Sequence, residues 1–251
     1  MHSKAVLFGI NYIHSPPPVQ LKGCITDVNN MAQYLSNTEK YDVVKVYTDD
    51  KNEYKTRANS IVNTIYKLAI DSHRYQLKKV WIHFSGHGCG IADRNNDETD
   101  GRDECIVPSD YQRSGVITDD LIKRVLRYFN RNTKVTCVFD CCHSGTICDL
   151  KYVYNGSDRT PTQASKGSKC QANVCLISGC MDHQTSADAY NVQGRYQFSG
   201  AMTSCLLLAL KEDKKIFNTL DRVRTILRQK GYSQYPLLSS SFVVSDHHCF
   251  E

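Results

Sequence analysis

Apolar positions along the chain alternate between two periods. Residues 5–10, 43–47, 79–84, 135–139 and 174–177 are short apolar runs of the length and composition of buried strands. Between them the spacing changes to that of one helical face: Val28, Met31, Ala32 and Leu35; Ile61, Val62, Ile65, Leu68 and Ala69; Leu121, Ile122, Val125, Leu126 and Phe129. Asp27 reads as the N-cap of the first of these helices, and Asp119-Asp120 opens the third, where negative charge suits the helix dipole. Helices over 201–210 and 217–227 and a last strand region over 235–244 follow. This rhythm predicts an α/β fold with a mostly parallel central sheet flanked by helices. Residues 151–172 are poor in large aliphatics and rich in Gly, Ser, Thr, Lys and Gln, so they are expected to form an exposed loop open to cleavage.

A chain of 251 residues can bury a sizeable core, and the reading is a single domain over 1–251. Hydrophobic residues make up 41% and charged residues 23%, the balance of an ordinary soluble globular protein. The net charge of +5 arises from 31 basic and 26 acidic residues that are interspersed, which argues against a nucleic-acid surface. No apolar stretch reaches membrane-spanning length. Twelve cysteines in a small secreted chain would suggest a disulfide scaffold. Here the opening Met1-His2-Ser3-Lys4 lacks the apolar core of a signal peptide, so reduced thiols and a cytoplasmic setting are expected. No CxxC pair with a partner supports zinc.

The chemistry sits after two of the strands. Ser85-Gly86-His87-Gly88 follows the third apolar run, and Asp140-Cys141-Cys142-His143-Ser144-Gly145 follows the fourth. A thiolate nucleophile requires a partner that takes its proton, and His87 with Cys142 supplies such a pair. His143 is the weaker choice of base, because adjacent residues on a strand or turn point apart. The N–H groups of Gly88 and Cys142 are candidate oxyanion donors. Asp27 and Asp140, if both face the cleft, form an acidic pocket complementary to lysine or arginine. Residues 93–104 resemble an EF-hand loop at the first, third, fifth and twelfth positions, but Glu98 stands where the sixth requires glycine. Asp119-Asp120 and Asp149 join this stretch as separated hard-oxygen donors that could share one cation.

With these residues in hand the chain resembles a metacaspase, a member of the caspase-fold clan of cysteine peptidases. The resemblance rests on Leu7-Phe8-Gly9-Ile10-Asn11-Tyr12, Leu21-Lys22-Gly23-Cys24 through Asp27, and His83-Phe84-Ser85-Gly86-His87-Gly88. It continues through Asp100-Gly101-Arg102-Asp103-Glu104, Asp140 to Gly145, and Ile177-Ser178-Gly179-Cys180 through Asp188. It implies a caspase-like three-layer sandwich, with a large-subunit-like region over 1–150 and a small-subunit-like region over 173–251. It implies a His87–Cys142 dyad and cleavage after Arg or Lys through a thioacyl intermediate. Asp27 and Asp140 would bind the basic side chain, with Cys24 and Ser85 lining the same pocket. Asp103, Asp119, Asp120 and Asp149 match the family's calcium site. Unlike many type I members, the chain starts almost at its first strand without a prodomain, and a compact, monomeric core is expected. Self-cleavage after Lys151, Arg159, Lys166 or Lys169 would follow from the basic loop. A noncatalytic scaffold that binds partners through the acidic cleft is the rival class, and a redox role for Cys141-Cys142 a third.

Overall fold

The apolar runs become the inner strands of one sheet. In the computed structural model, which describes residues 1–92, 102–141, 148, 150–155, 159–163, 170–179, 188–190 and 198–250, the chain opens with β1 (Ser3–Gly9), α1 (Cys24–Asn37), β2 (Val43–Thr48), α2 (Ala58–Arg74) and β3 (Lys79–Ser85). A small antiparallel sheet follows, made of β4 (Gly88–Ala92), β5 (Arg102–Ile106) and, after the single turn α3 (Tyr111–Ser114), β6 (Ile117–Thr118). Then come α4 (Asp119–Leu126), β7 (Lys134–Asp140), β8 (Tyr152–Tyr154), β9 (Thr162–Gln163) and β10 (Asn173–Ser178). A β11 (Asp188–Tyr190) and β12 (Phe198–Gly200) pair leads into α5 (Ala201–Glu212), α6 (Ile216–Gln229) and β13 (Leu237–Ser240).

Among the described residues the central sheet runs in the order β2, β1, β3, β7, β10, β13, β8, β9. The pairs β2–β1, β1–β3, β3–β7 and β7–β10 are parallel, whereas β10–β13, β13–β8 and β8–β9 are antiparallel. Strand side chains alternate between two faces. Ala5, Leu7, Trp81, Val138, Cys175 and Ile177 pack with α1, α5 and α6, while Val6, Phe8, Ile82, Phe139, Val174 and Leu176 pack with α2 and α4. The sheet is therefore the middle of three layers, as expected. Among the described residues no helix is long and apolar enough to cross a membrane.

Three expectations require correction. Asp27 does not cap α1. The helix starts at Cys24 with Gly23 as its cap, which places Asp27 in the first turn with its side chain buried. Phe129 is buried but lies beyond α4, which ends at Leu126. Residues 151–172 are not simply an exposed loop: β8 and β9 extend the sheet, with Val153 and Tyr154 buried. Aromatic residues carry this strand's burial in place of aliphatics, and Tyr154 packs edge-on against Phe217 with ring centroids 5.3 Å apart. Arg159 in the same segment bonds to Asp221 and Asp246 and lies over the Phe217 ring.

Close packing of α1 on β1 decides where the candidate site forms. A Cβ on Gly9 would stand 2.5 Å from Val28 Cγ2 and 2.7 Å from the Cys24 carbonyl oxygen. Only glycine at the end of β1 lets the first turn of α1 sit directly over the strand, which brings Asp27 to the carboxyl ends of β1 and β3.

Candidate active site

Parallel strands deliver their carboxyl ends to one edge of the sheet, and the candidate groups collect there. Ser85, the last residue of β3, lies opposite Asp140, the last of β7. Ser85 Oγ donates to Asp27 Oδ2 at 2.8 Å, and the N–H of Thr203 in the first turn of α5 donates to Asp140 Oδ2 at 2.9 Å. All four of these side chains are buried: Asp27 and Ser85 are each 1% exposed and Asp140 4%. The structure thus places both sequence-predicted carboxylates at these strand ends, Asp27 bonded to Ser85 and Asp140 beside it as its cross-strand neighbour. Cys24 is buried at the start of α1, its N–H bound to Asn11 Oδ1 at 3.0 Å.

His87 emerges from the end of β3 one residue past Gly86, half-buried. Its Nε2 lies 2.7 Å from the carbonyl oxygen of Val19. A carbonyl only accepts, so Nε2 carries a proton and donates, which leaves Nδ1 as the nitrogen free to exchange one. Gly88 opens β4 opposite Ile106. Cys142 lies outside the described residues. Its neighbour Cys141 is fully buried among the core side chains of the α2 and α4 face, away from any role as an exposed nucleophile.

Tyr12 is the group that sequence reading missed. Its hydroxyl accepts the His87 backbone N–H at 2.7 Å and donates to the Val107 carbonyl at 2.7 Å, while Val107 N–H returns to the His87 carbonyl at 3.0 Å. The Tyr12 ring stands against the imidazole with centroids 4.7 Å apart. Tyr12 itself is left-handed, with φ +55°, a conformation that costs a bulky residue energy unless its surroundings impose it. Buried Asp49 does so by accepting the N–H groups of both neighbours, Asn11 at 3.0 Å and Ile13 at 3.1 Å. The signal was present only as a tyrosine after a strand, which local pattern alone does not distinguish from core packing.

The cation candidates are split. Asp103 on β5 and Asp119 at the start of α4 are buried and Asp120 is half-buried, whereas Asp149 lies outside the described residues. Asp119 accepts the Glu104 N–H at 2.8 Å and the Asp120 N–H at 2.7 Å. The donor chemistry suits a hard cation. Among the described residues, however, no three His, Cys, Asp or Glu side chains converge to hold one. A cage built of three carboxylates thus needs Asp149 or another acid from outside them.

The metacaspase peptidase C14 domain family matches residues 3–151. Metacaspase-1 of Scheffersomyces stipitis is 34% identical over 95% of this chain and 70% of its own length, and metacaspase-2 of Trypanosoma brucei brucei is 34% identical over 95% and 73%. The chain belongs to the metacaspases. A metacaspase is a cysteine peptidase, so peptides and proteins are its substrates. The fold agrees: a Geobacter sulfurreducens protein superposes at TM-score 0.67 with 22% identity over the whole of both chains. The structure of pro-sf-caspase-1 superposes at 0.58 with 11% identity, covering 97% of this chain and 88% of that one.

Two predictions follow from this geometry. Tyr12→Phe strands the His87 N–H and the Val107 carbonyl, so it is expected to lower stability by about 1–3 kcal/mol. As a positioning residue it should also lower kcat on a peptide substrate by roughly tenfold with KM little changed; a raised KM with kcat intact would contradict that role. The second concerns His83 on β3, whose pKa burial pushes down to about 3 and whose Nδ1 has no partner among the described residues. Its Nε2 faces Thr203 Oγ1 at 3.3 Å. The folded state keeps this ring neutral while the unfolded chain protonates it near the ordinary value of 6.5. Its contribution is therefore intact above that pH and is lost as pH falls toward 3, at up to about 1.4 kcal/mol per pH unit. Urea titrations across this window should show the slope, and His83→Gln should flatten it.

Proposed function

We propose that this metacaspase is a calcium-dependent endopeptidase that cleaves after Arg or Lys. The observation that carries the reading is the Ser85–Asp27 hydrogen bond at the strand end where Asp140 is the cross-strand neighbour of Ser85, two residues before His87. Two carboxylates buried within one sheet edge give a pocket that favours a cation over an acidic or apolar side chain, and a guanidinium can pair with a carboxylate through two hydrogen bonds. Cys24 adds a small, uncharged wall.

In this reading His87 Nδ1 takes the proton of the Cys142 thiol, because its Nε2–H is already committed to Val19. The thiolate attacks the scissile carbonyl, and the N–H groups of Gly88 and Cys142 receive the oxyanion. His87 then gives its proton to the leaving amine, leaving a thioacyl enzyme. Water, deprotonated by the same imidazole, breaks the thioester and releases the carboxylic acid and the thiol. Calcium would be held by Asp149 together with carboxylates drawn from Asp103, Asp119 and Asp120, which do not by themselves converge, and it would neutralise acids that are costly to bury.

Self-processing belongs to the same reading. Lys151 abuts β8 and the guanidinium of Arg159 is held by Asp221 and Asp246, so we assign cleavage to Lys166 or Lys169. Incubation with calcium followed by intact mass measurement should give fragments ending at one of these two; a cut after Arg159, or an intact chain under conditions that turn over peptides, would refute it.

Fluorogenic peptides with Arg, Lys or Asp at the cleaved position, assayed with calcium and with a chelator, test the main proposal. Turnover of the Arg and Lys peptides only with calcium is expected, with Asp27→Asn and Asp140→Asn each lowering kcat/KM by at least about tenfold. Cleavage of the Asp peptide, or full activity in chelator, would overturn specificity or metal dependence respectively. Turnover by Cys142→Ala would overturn the nucleophile.

A further inference from the structure

Strand β2 ends the central sheet and, among the described residues, pairs only with β1. Its side chains from Val43 to Tyr47 are half-buried or exposed on both faces, unlike those of the strands next to it. Beyond this edge the two neighbouring helices leave a groove on each face. On the α2 side a groove of about 490 Å³ is lined by Lys45 and Tyr47 of β2 together with Lys4, Lys55 and Lys67. On the α1 side a groove of about 630 Å³ is lined by Val44 and Val46 with Asn29, Asn30 and Gln33. The two lining sets interleave along β2, as alternate residues of one strand must.

The charge in the α2-side groove is one-sided. Lys4 is paired with Asp71 at 2.7 Å. Among the described residues Lys45, Lys55 and Lys67 have no carboxylate partner, and Lys55 lies against the rings of Tyr47 and Tyr54. An unpaired strand edge offers N–H and C=O groups to a further strand, and an added strand would drop its alternate side chains into the two grooves. A second copy of this chain is a poor occupant, since the same edge would set Lys45 against another lysine-lined groove, and like charges across a ladder repel.

We propose that the β2 edge is a docking site for an extended acidic peptide segment, which adds to the sheet as a strand with carboxylates at alternate positions over Lys45, Lys55 and Lys67. Its other residues, small or hydroxyl-bearing, lie over Val44, Val46 and the amides of α1. The site is at the opposite edge of the parallel strands from the antiparallel β13–β8–β9 extension, and its occupation does not depend on the peptidase reaction.

A fluorescently labelled ten-residue peptide alternating Glu and Thr tests this. It contains no Arg or Lys and is repelled by the Asp27–Asp140 pocket. Titrated with the full chain, it should raise anisotropy at low salt and slow hydrogen exchange at β2. The same peptide with Lys in place of Glu should not bind, nor should one with proline at two adjacent central positions, which removes a ladder donor in either register. Lys45→Glu combined with Lys67→Glu should weaken binding by about tenfold or more while leaving the melting temperature unchanged. Equal binding of the Lys peptide, binding with no exchange protection at β2, or no binding at all would overturn the proposal. A concentration-dependent dimer that protects β2 without peptide would overturn it in favour of self-pairing.

Discussion

A carboxylate shut away from water has to be given hydrogen-bond donors or a counter-charge, and that requirement binds the two halves of this chain to one another. Asp27 comes from the first helix and receives its donor from the end of β3. Asp140 comes from the end of β7 and receives its donor from the first turn of α5, 63 residues further on. Neither acid could be buried by its own neighbourhood in sequence. The register that sets Ser85 against Asp140, and the bare Cβ position of Gly9 that lets α1 approach, both serve this arrangement.

The same face of the sheet carries a second polar element below the carboxylates. His83, two residues before Ser85 on β3, points to the same side and meets Thr203, whose backbone holds Asp140. Its neutrality matters, because a charged imidazole there would be a cation shut away from water beside Thr203 with no counter-charge on its own ring contacts. Burial alone keeps it neutral. On the other side of β3 the requirement is mechanical, and Tyr12 meets it by clamping the His87 backbone while its ring limits the imidazole.

The sheet was legible because its inner strands are continuous apolar runs, which few other arrangements explain. The carboxylate pair was legible in part: Asp140 stands at a strand end, where side chains meet the ligand edge of an α/β sheet. Asp27 was misplaced as a cap, since Asp is a favoured cap residue and nothing local says that the helix begins three residues earlier at Cys24. Strand β8 was missed because Tyr152, Val153 and Tyr154 sit in a polar neighbourhood, and their burial depends on α6 and β13, far away in the chain. Thr203 carried no signal, and Tyr12 stood in a matching motif after the first strand with nothing local to give it a role. Each acts through a hydrogen bond across 63 or more residues, information that appears only once the layers have stacked.

The Tyr12 and Thr203 contacts set an order in time. His87 is steadied by a residue from the first strand's exit and Asp140 by one from the last quarter of the chain, so a chain still on the ribosome lacks the Thr203 donor to Asp140, and one opened at its start lacks the Tyr12 hydroxyl that holds the His87 N–H. Contacts this distant form late because loop closure precedes them. The two ends of the chain thus meet at the strand ends, where neither His87 nor Asp140 has its full set of contacts until both ends have folded.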